Sequence, residues 1–129
     1  IVAYTAINDF GTVINPMIVA GQLHGGVAQG IGQALMEHLR YDESGQPITG
    51  SLMDYALPRA SDVPMMTVDN HPVPAKSNPL GTKGCGEAGT AAASACVLNA
   101  VNDALVPFNA SINAIPITPS RVLTALNRF

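Results

Sequence analysis

The sequence predicts an α+β fold of short mixed strands with about three helices packed mainly on one side. Three observations point there. Apolar residues recur every fourth position in two long stretches, at Leu23, Val27, Ile31, Leu35 and Leu39, and again at Ala93, Val97, Val101 and Leu105. Short runs rich in β-branched residues lie near the start and the middle of the chain. Between the helices, five of the ten prolines crowd into residues 58–79, which excludes helix there.

Taken in order, Ile1 to Phe10 alternates loosely and reads as a strand. Asp9-Phe10-Gly11 reads as a turn and Thr12-Val13-Ile14 as its returning partner, which makes a hairpin. Asn15 is a good N-cap and Pro16 suits the first helical position, so a helix should run from about Pro16 to Arg40. Residues 41–46 read as a polar turn joining two short strands, and Ser51 to Leu57 as a short helical piece stopped by Pro58. Met65 to Val68 is the one strand expected in the proline-rich stretch. A glycine-rich loop, Asn78 to Thr90, then feeds a second helix from about Thr90 to Leu105. Ser111 to Ile117 reads as a last strand, and Thr118-Pro119 caps a final helix carrying Val122, Leu123 and Leu126.

The chain has 129 residues, enough for one domain and too few for two. Only 12% of them are charged, against about 25% in an average soluble domain. This suggests that something else covers part of the surface. Six Lys+Arg and a net charge of −3 argue against a nucleic-acid patch. No apolar run is expected to reach the length of a membrane span, about 20 residues. Cys85 and Cys96 have no metal-type spacing and form no disulfide framework, so a reducing, cytoplasmic setting is expected. The first residue, Ile1, lies inside a strand-like run, as in a piece of a longer protein.

Nine of the twelve glycines fall in two clusters: 21, 25, 26, 30 and 32 inside the first helix, and 81, 84, 86 and 89 before the second. A glycine inside a helix costs about 0.5–1 kcal/mol relative to alanine, so something must offset them. Close backbone packing is one explanation. A flat ligand lying against the helix is the other. Gln22, Gln29 and Gln33 share a face beside the glycines and offer amide donors and acceptors to a heterocycle. They also read as an ordinary solvated stripe. The second cluster opens a helix N-terminus, where backbone N–H groups favour anions, and Lys83 adds positive charge. Glu87 either complements the helix dipole or serves as a general base in an apolar pocket.

Other motifs carry less. GxxxxGK[ST] is absent, which disfavours a nucleoside triphosphatase, and Gly84, Gly86 and Gly89 match GxGxxG by spacing only. His24, His38 and His71 are scattered and make no metal-ligand set. Ser94 has no evident triad partner.

Together, the segments Gly21 to Leu35 and Gly81 to Thr90 resemble the C-terminal part of the molybdenum-binding large subunit of the xanthine oxidase / aldehyde oxidoreductase family. The closest flavour is the aerobic carbon monoxide dehydrogenase type. Asn15 to Ile18 and Gly50 to Pro58 fit the same pattern, and the likeness covers nearly all of residues 1–129. It implies one portion of a larger molybdopterin-binding domain. It further implies oxidation of an aldehyde, N-heterocycle or CO-like substrate with water as oxygen source. Glu87 would be the catalytic base, and Gln29, Gly30, Lys83, Gly84 and Gly86 would contact the cofactor.

The same resemblance implies a metal held by the pterin's sulfurs, with no protein ligand required. It leaves the pterin's nucleotide form open, cytosine dinucleotide among the options. It also implies FAD and iron–sulfur clusters on partner chains or domains; this chain shows no CxxC-type iron–sulfur motif and no flavin domain. Expected partners are the rest of the molybdenum subunit, the iron–sulfur and flavin subunits and a small-molecule substrate. Two other readings stay open. One is a non-catalytic fragment or docking module, inactive without the rest of the subunit. The other is a purely structural glycine-packed domain.

Overall fold

A computed structural model describes residues 1–128. The order of elements is β1 (Tyr4–Asn8), α1 (Pro16–Leu35), β2 (Met66–Asn70), α2 (Ala88–Leu105) and α3 (Pro119–Ala125), with single 3-10 turns at Ala60–Asp62 and Val106–Phe108. This is the expected α+β mixture with three helices. The chain divides into two compact units. The first comprises Ile1–Gly30 and Arg59–Ala93, and the second Ile31–Pro58 and the stretch from Ser94 onward.

In the first unit β1 pairs with β2 in parallel, from Tyr4 opposite Met66 to Asn8 opposite Asn70. The expected hairpin of β1 with residues 12–14 does not form. The Asp9 carboxylate accepts the Gly11 N–H at 2.9 Å and turns the chain, with Gly11 at φ +57°. Thr12 then donates to Gly81 O at 3.0 Å instead of back to β1. A parallel pair needs a long crossover, and residues 9–65 supply it. Phe10, Leu23, Val27 and Ala93 are buried apolar residues of this unit.

Helix α1 begins as its caps predict. The Asn15 Oδ1 accepts Ile18 N–H at 3.1 Å, and Pro16 occupies the first helical position, where no N–H is required. Inside the first unit its glycines meet those of α2. A Cβ added to Gly89 would lie 2.6 Å from Leu23 O and 2.9 Å from Val27 N. One added to Gly26 would lie 2.9 Å from both Gly89 Cα and Thr90 N. The two backbones touch there, and only glycine permits it.

The second unit has its own core of Leu105, Ile112 and Ile117, against which Leu35, Leu98, Val101, Val122 and Leu126 pack. Helix α1 stops at Leu35, short of the expected Arg40. Met36 N and Glu37 N both donate to Gly32 O, at 2.9 and 2.8 Å, so the ladder ends there. Glu37 instead accepts the Tyr55 hydroxyl at 2.7 Å, which holds the tyrosine's pKa above its ordinary value. Leu39 is exposed.

The polar turn at 41–46 closes on Asp42, whose Oδ1 accepts the Ser44 hydroxyl and the Ser44 and Gln46 amides. Its two expected strands shrink to one bridge, Tyr41 to Pro47. Residues 51–55 make one turn without becoming a helix.

Ser111 to Ile117 is not a strand either. The Asn102 amide takes both backbone groups of Ile112, at 2.8 and 2.9 Å, and Ile117 N donates to Ala34 O. Side chains and a helix end thus satisfy what a ladder would have satisfied. Helix α3 is capped as expected, with Thr118 Oγ1 accepting Arg121 N.

One composition reading needs correction. Ala88–Phe108 reaches the length and hydropathy of a membrane-crossing helix, with mean hydropathy 1.3. The value comes from seven alanines together with Val97, Leu98, Val101, Leu105 and Val106; Asn99, Asn102 and Asp103 interrupt it.

The glycine contact predicts a contrast that denaturant unfolding can measure. Gly89→Ala should destabilise by about 1–3 kcal/mol, because the new methyl meets rigid backbone. Gly21→Ala has nothing within 4 Å of the new methyl. It should be neutral or stabilise by up to about 1 kcal/mol.

Candidate functional site

The loop that carries the second glycine cluster is pinned to the end of β1. Lys83 N donates to Phe10 O at 3.0 Å, and Gly11 and Thr82 form an antiparallel bridge. Asn78 holds the turn from within, its Oδ1 accepting Thr82 N and its amide donating to Thr82 O. Asp9 then gathers three donors on one carboxylate: the Lys83 ammonium, the Gly11 amide and the Val73 amide. The Lys83 ammonium, followed by the Val73 and Gly11 amides, lowers the Asp9 pKa from 3.8 to about 2.

Beyond Lys83 the loop opens. A Cβ on Gly84 or Gly86 would meet nothing within 4 Å. Among the described residues, the N–H groups of Gly84, Cys85, Gly86 and Glu87 have no hydrogen-bond acceptor. Cys85 is a free, half-buried thiol. It lines a cavity of about 180 Å³ with Thr82, Lys83 and the start of α1 at Asn15, Ile18 and Val19.

Glu87 ends the loop and caps α2, its carbonyl accepting Thr90 N at 3.1 Å and Ala91 N at 3.0 Å. Its side chain is exposed, so the apolar pocket expected around it is not formed by the described residues.

Gln29 sits across from this turn. Thr90 Oγ1 donates to Gly26 O at 3.1 Å and reaches Gln29 Oε1 at 3.4 Å. One residue, Thr90, therefore touches Gln29 with its hydroxyl and Glu87 with its amide. Gln29 is otherwise exposed, as are Gln22 and His24, while Gly30 is buried within α1. Gly25 shows open space where a Cβ would stand, so part of the glycine face remains free.

The structure thus brings Gln29 and Glu87 to the same turn of α2, together with the open backbone of Gly84 and Gly86. Lys83 lies on that loop, its charge engaged by Asp9. Sequence reasoning missed Asp9 and Thr90. Asp9 lies 74 residues from Lys83, and no local pattern signals the pair. Thr90 was visible only as a residue of the motif.

Among the described residues, no three of His, Cys, Asp or Glu stand together as a metal-holding group. What the site offers is an amide, a carboxylate and a run of open N–H groups beside bare glycine backbone. That set suits a flat heterocycle with mixed donor and acceptor edges and an anionic substituent, as a pterin cofactor has.

Comparison with known proteins gives the same picture. The profile of the molybdopterin cofactor-binding domain matches residues 1–64. The nicotine 6-hydroxylase large subunit of Paenarthrobacter nicotinovorans is 44% identical over 120 residues, 93% of this chain and 15% of that one. The carbon monoxide dehydrogenase large chain of Afipia carboxidovorans is 40% identical over 88% of this chain and 14% of its own length. The crystal structure of quinoline 2-oxidoreductase from Pseudomonas putida 86 superposes with a TM-score of 0.90 at 45% identity, over 94% of this chain and 15% of that one. The chain thus spans about 15% of the length of these relatives.

The Asp9 cluster makes a pH prediction. A carboxyl with a lowered native pKa contributes stability that is complete above its ordinary value of 3.8 and lost as pH falls through about 2. Comparing unfolding midpoints of the parent and Asp9→Asn across acid pH should show the widest gap above about pH 4. The gap should close as pH approaches about 2. A gap that persists there would show that the carboxylate charge is not what the loop depends on.

Proposed function

Because this chain belongs to the molybdenum-binding large-subunit family of the xanthine oxidase and aldehyde oxidoreductase type, we propose that residues 1–129 are the portion of its cofactor domain carrying the catalytic base. The whole subunit would be a molybdenum-dependent oxidoreductase taking its oxygen from water. The observation that carries this reading is the Thr90 link, which joins the Gln29 amide and the Glu87 turn at one helix end.

When bound, the molybdenum cofactor supplies the acceptor for the substrate's electrons. The roles of this chain are to hold and to deprotonate. Gln29 offers its amide to the pterin, beside Gly30. Gly84 and Gly86 present bare backbone that lets a flat group approach, and their N–H groups receive its anionic part. Lys83 keeps that loop in place and adds positive potential. The Glu87 carboxylate takes a proton from the water that provides the oxygen.

The substrate class we favour is an N-heterocycle. Two relatives near 45% identity are named for nicotine and quinoline, and an aldehyde or CO-like substrate remains the alternative. The partners proposed are the rest of the molybdenum subunit and the iron–sulfur and flavin chains, in the cytoplasm, with the cofactor a molybdopterin, the cytosine dinucleotide form among the options. One observation favours a second reading, a docking module without chemistry: Glu87 is exposed in this chain. On the leading reading, the apolar walls around it come from the remainder of the subunit.

Glu87→Gln in the full subunit, assembled with its partners, separates the two. Turnover should fall by at least about 100-fold, while molybdenum per subunit stays near that of the parent. Turnover close to the parent's would remove Glu87 from the chemistry and leave the docking module standing.

A further inference from the structure

We infer that Thr90 is a positioning residue for Gln29, its hydroxyl setting the place and orientation of the amide that meets the cofactor. The inference rests on the reading of Gln29 as a cofactor contact and deepens it.

Thr90 lies in the first turn of α2, where the carbonyl four residues back belongs to Gly86, outside the helix. The carbonyl three residues back, Glu87 O, already accepts Thr90 N and Ala91 N, and the hydroxyl does not bond back to it as a mid-helix threonine's does. It points across to α1 instead, donating to Gly26 O at 3.1 Å with Gln29 Oε1 at 3.4 Å. The approach needs the missing side chain at Gly26, since a Cβ there would stand 2.9 Å from Thr90 N.

Threonine is suited to this task because its branched Cβ restricts χ1, so the hydroxyl direction is set by the backbone. Gln29 is exposed and has three rotatable bonds, and ordering such a chain costs side-chain entropy. The one proton of that hydroxyl is shared between two acceptors, the Gly26 carbonyl and Gln29 Oε1, and the shared bond restricts the amide before the ligand arrives, so that less ordering remains to be done on binding. Because Thr90 N also bonds Glu87 O at 3.1 Å, the amide and the turn bearing the carboxylate are set by the same residue.

The test uses the full subunit in its complex, with Thr90→Val, Thr90→Ser, Gln29→Ala and the Thr90→Val/Gln29→Ala double variant. Two quantities are read: the rate at which molybdenum and pterin leave the protein after gel filtration, and turnover per bound molybdenum. Thr90→Val should release cofactor about five-fold faster, the effect of one lost hydrogen bond. Thr90→Ser should behave as the parent, and the double variant should release no faster than Gln29→Ala alone.

If Gln29→Ala releases cofactor quickly and Thr90→Val does not, the inference fails and the role of Gln29 stands. Additive effects in the double variant also overturn it, because Thr90 then acts by another route. If Gln29→Ala matches the parent, the cofactor role of Gln29 itself is wrong. If Thr90→Val fails to assemble while Thr90→Ser assembles, the hydroxyl is a folding determinant and the positioning role is refuted. Failure of both variants to assemble would assign the residue to packing and refute the positioning role as well.

Discussion

Everything at this site depends on the absence of two side chains. Gly26 of α1 and Gly89 of α2 touch through their backbones, so that a methyl on either would collide with main-chain atoms of the other helix. The closeness has a local cost in helix propensity, and packing of backbone on backbone offsets it. Only at that separation can the Thr90 hydroxyl reach a carbonyl on α1, and only then does Gln29 stand beside the turn that carries Glu87. The geometry of the candidate site follows from helix contact before any ligand is involved.

A second layer of control is electrostatic and lies at the far end of the loop. The Asp9 carboxylate holds two backbone amides and the Lys83 ammonium, and thereby fixes the strand end, the proline-rich stretch and the glycine loop on one another. The pair is partly exposed, so its contribution to stability is small and screened by salt. Its effect is on where the loop begins. Downstream of Lys83 the chain has few internal bonds, and the open N–H groups of residues 84–87 are the result.

Much of this was legible in the sequence, for identifiable reasons. The starts of α1 and α3 were marked by Asn15-Pro16 and Thr118-Pro119, whose capping chemistry is local. The fourfold spacing gave the buried faces of α1 and α2, with Leu23, Val27, Ala93 and Val97 inside. What failed was what depends on distant partners. Residues 12–14 alternate well enough for a strand, but Thr12 gives its amide to Gly81. Ser111 to Ile117 has the composition of a strand, but Asn102 claims its backbone. For the glycines the two readings divided by position, Gly26 and Gly89 serving contact while Gly21, Gly25, Gly84 and Gly86 face open space. Periodicity cannot separate those roles, because every glycine looks alike in a string of letters.

The parallel pair of β1 and β2 has a consequence of its own. Two-stranded parallel ribbons are rarely found alone, because sheets of this kind are normally covered on both faces and extended on both sides. Among the described residues each strand has a single neighbour, so the ribbon has two outer margins. Within a larger subunit those margins are where further strands can continue the sheet. Produced on its own, the chain would carry them into solution as templates for strand addition between copies, and self-association would compete with correct folding.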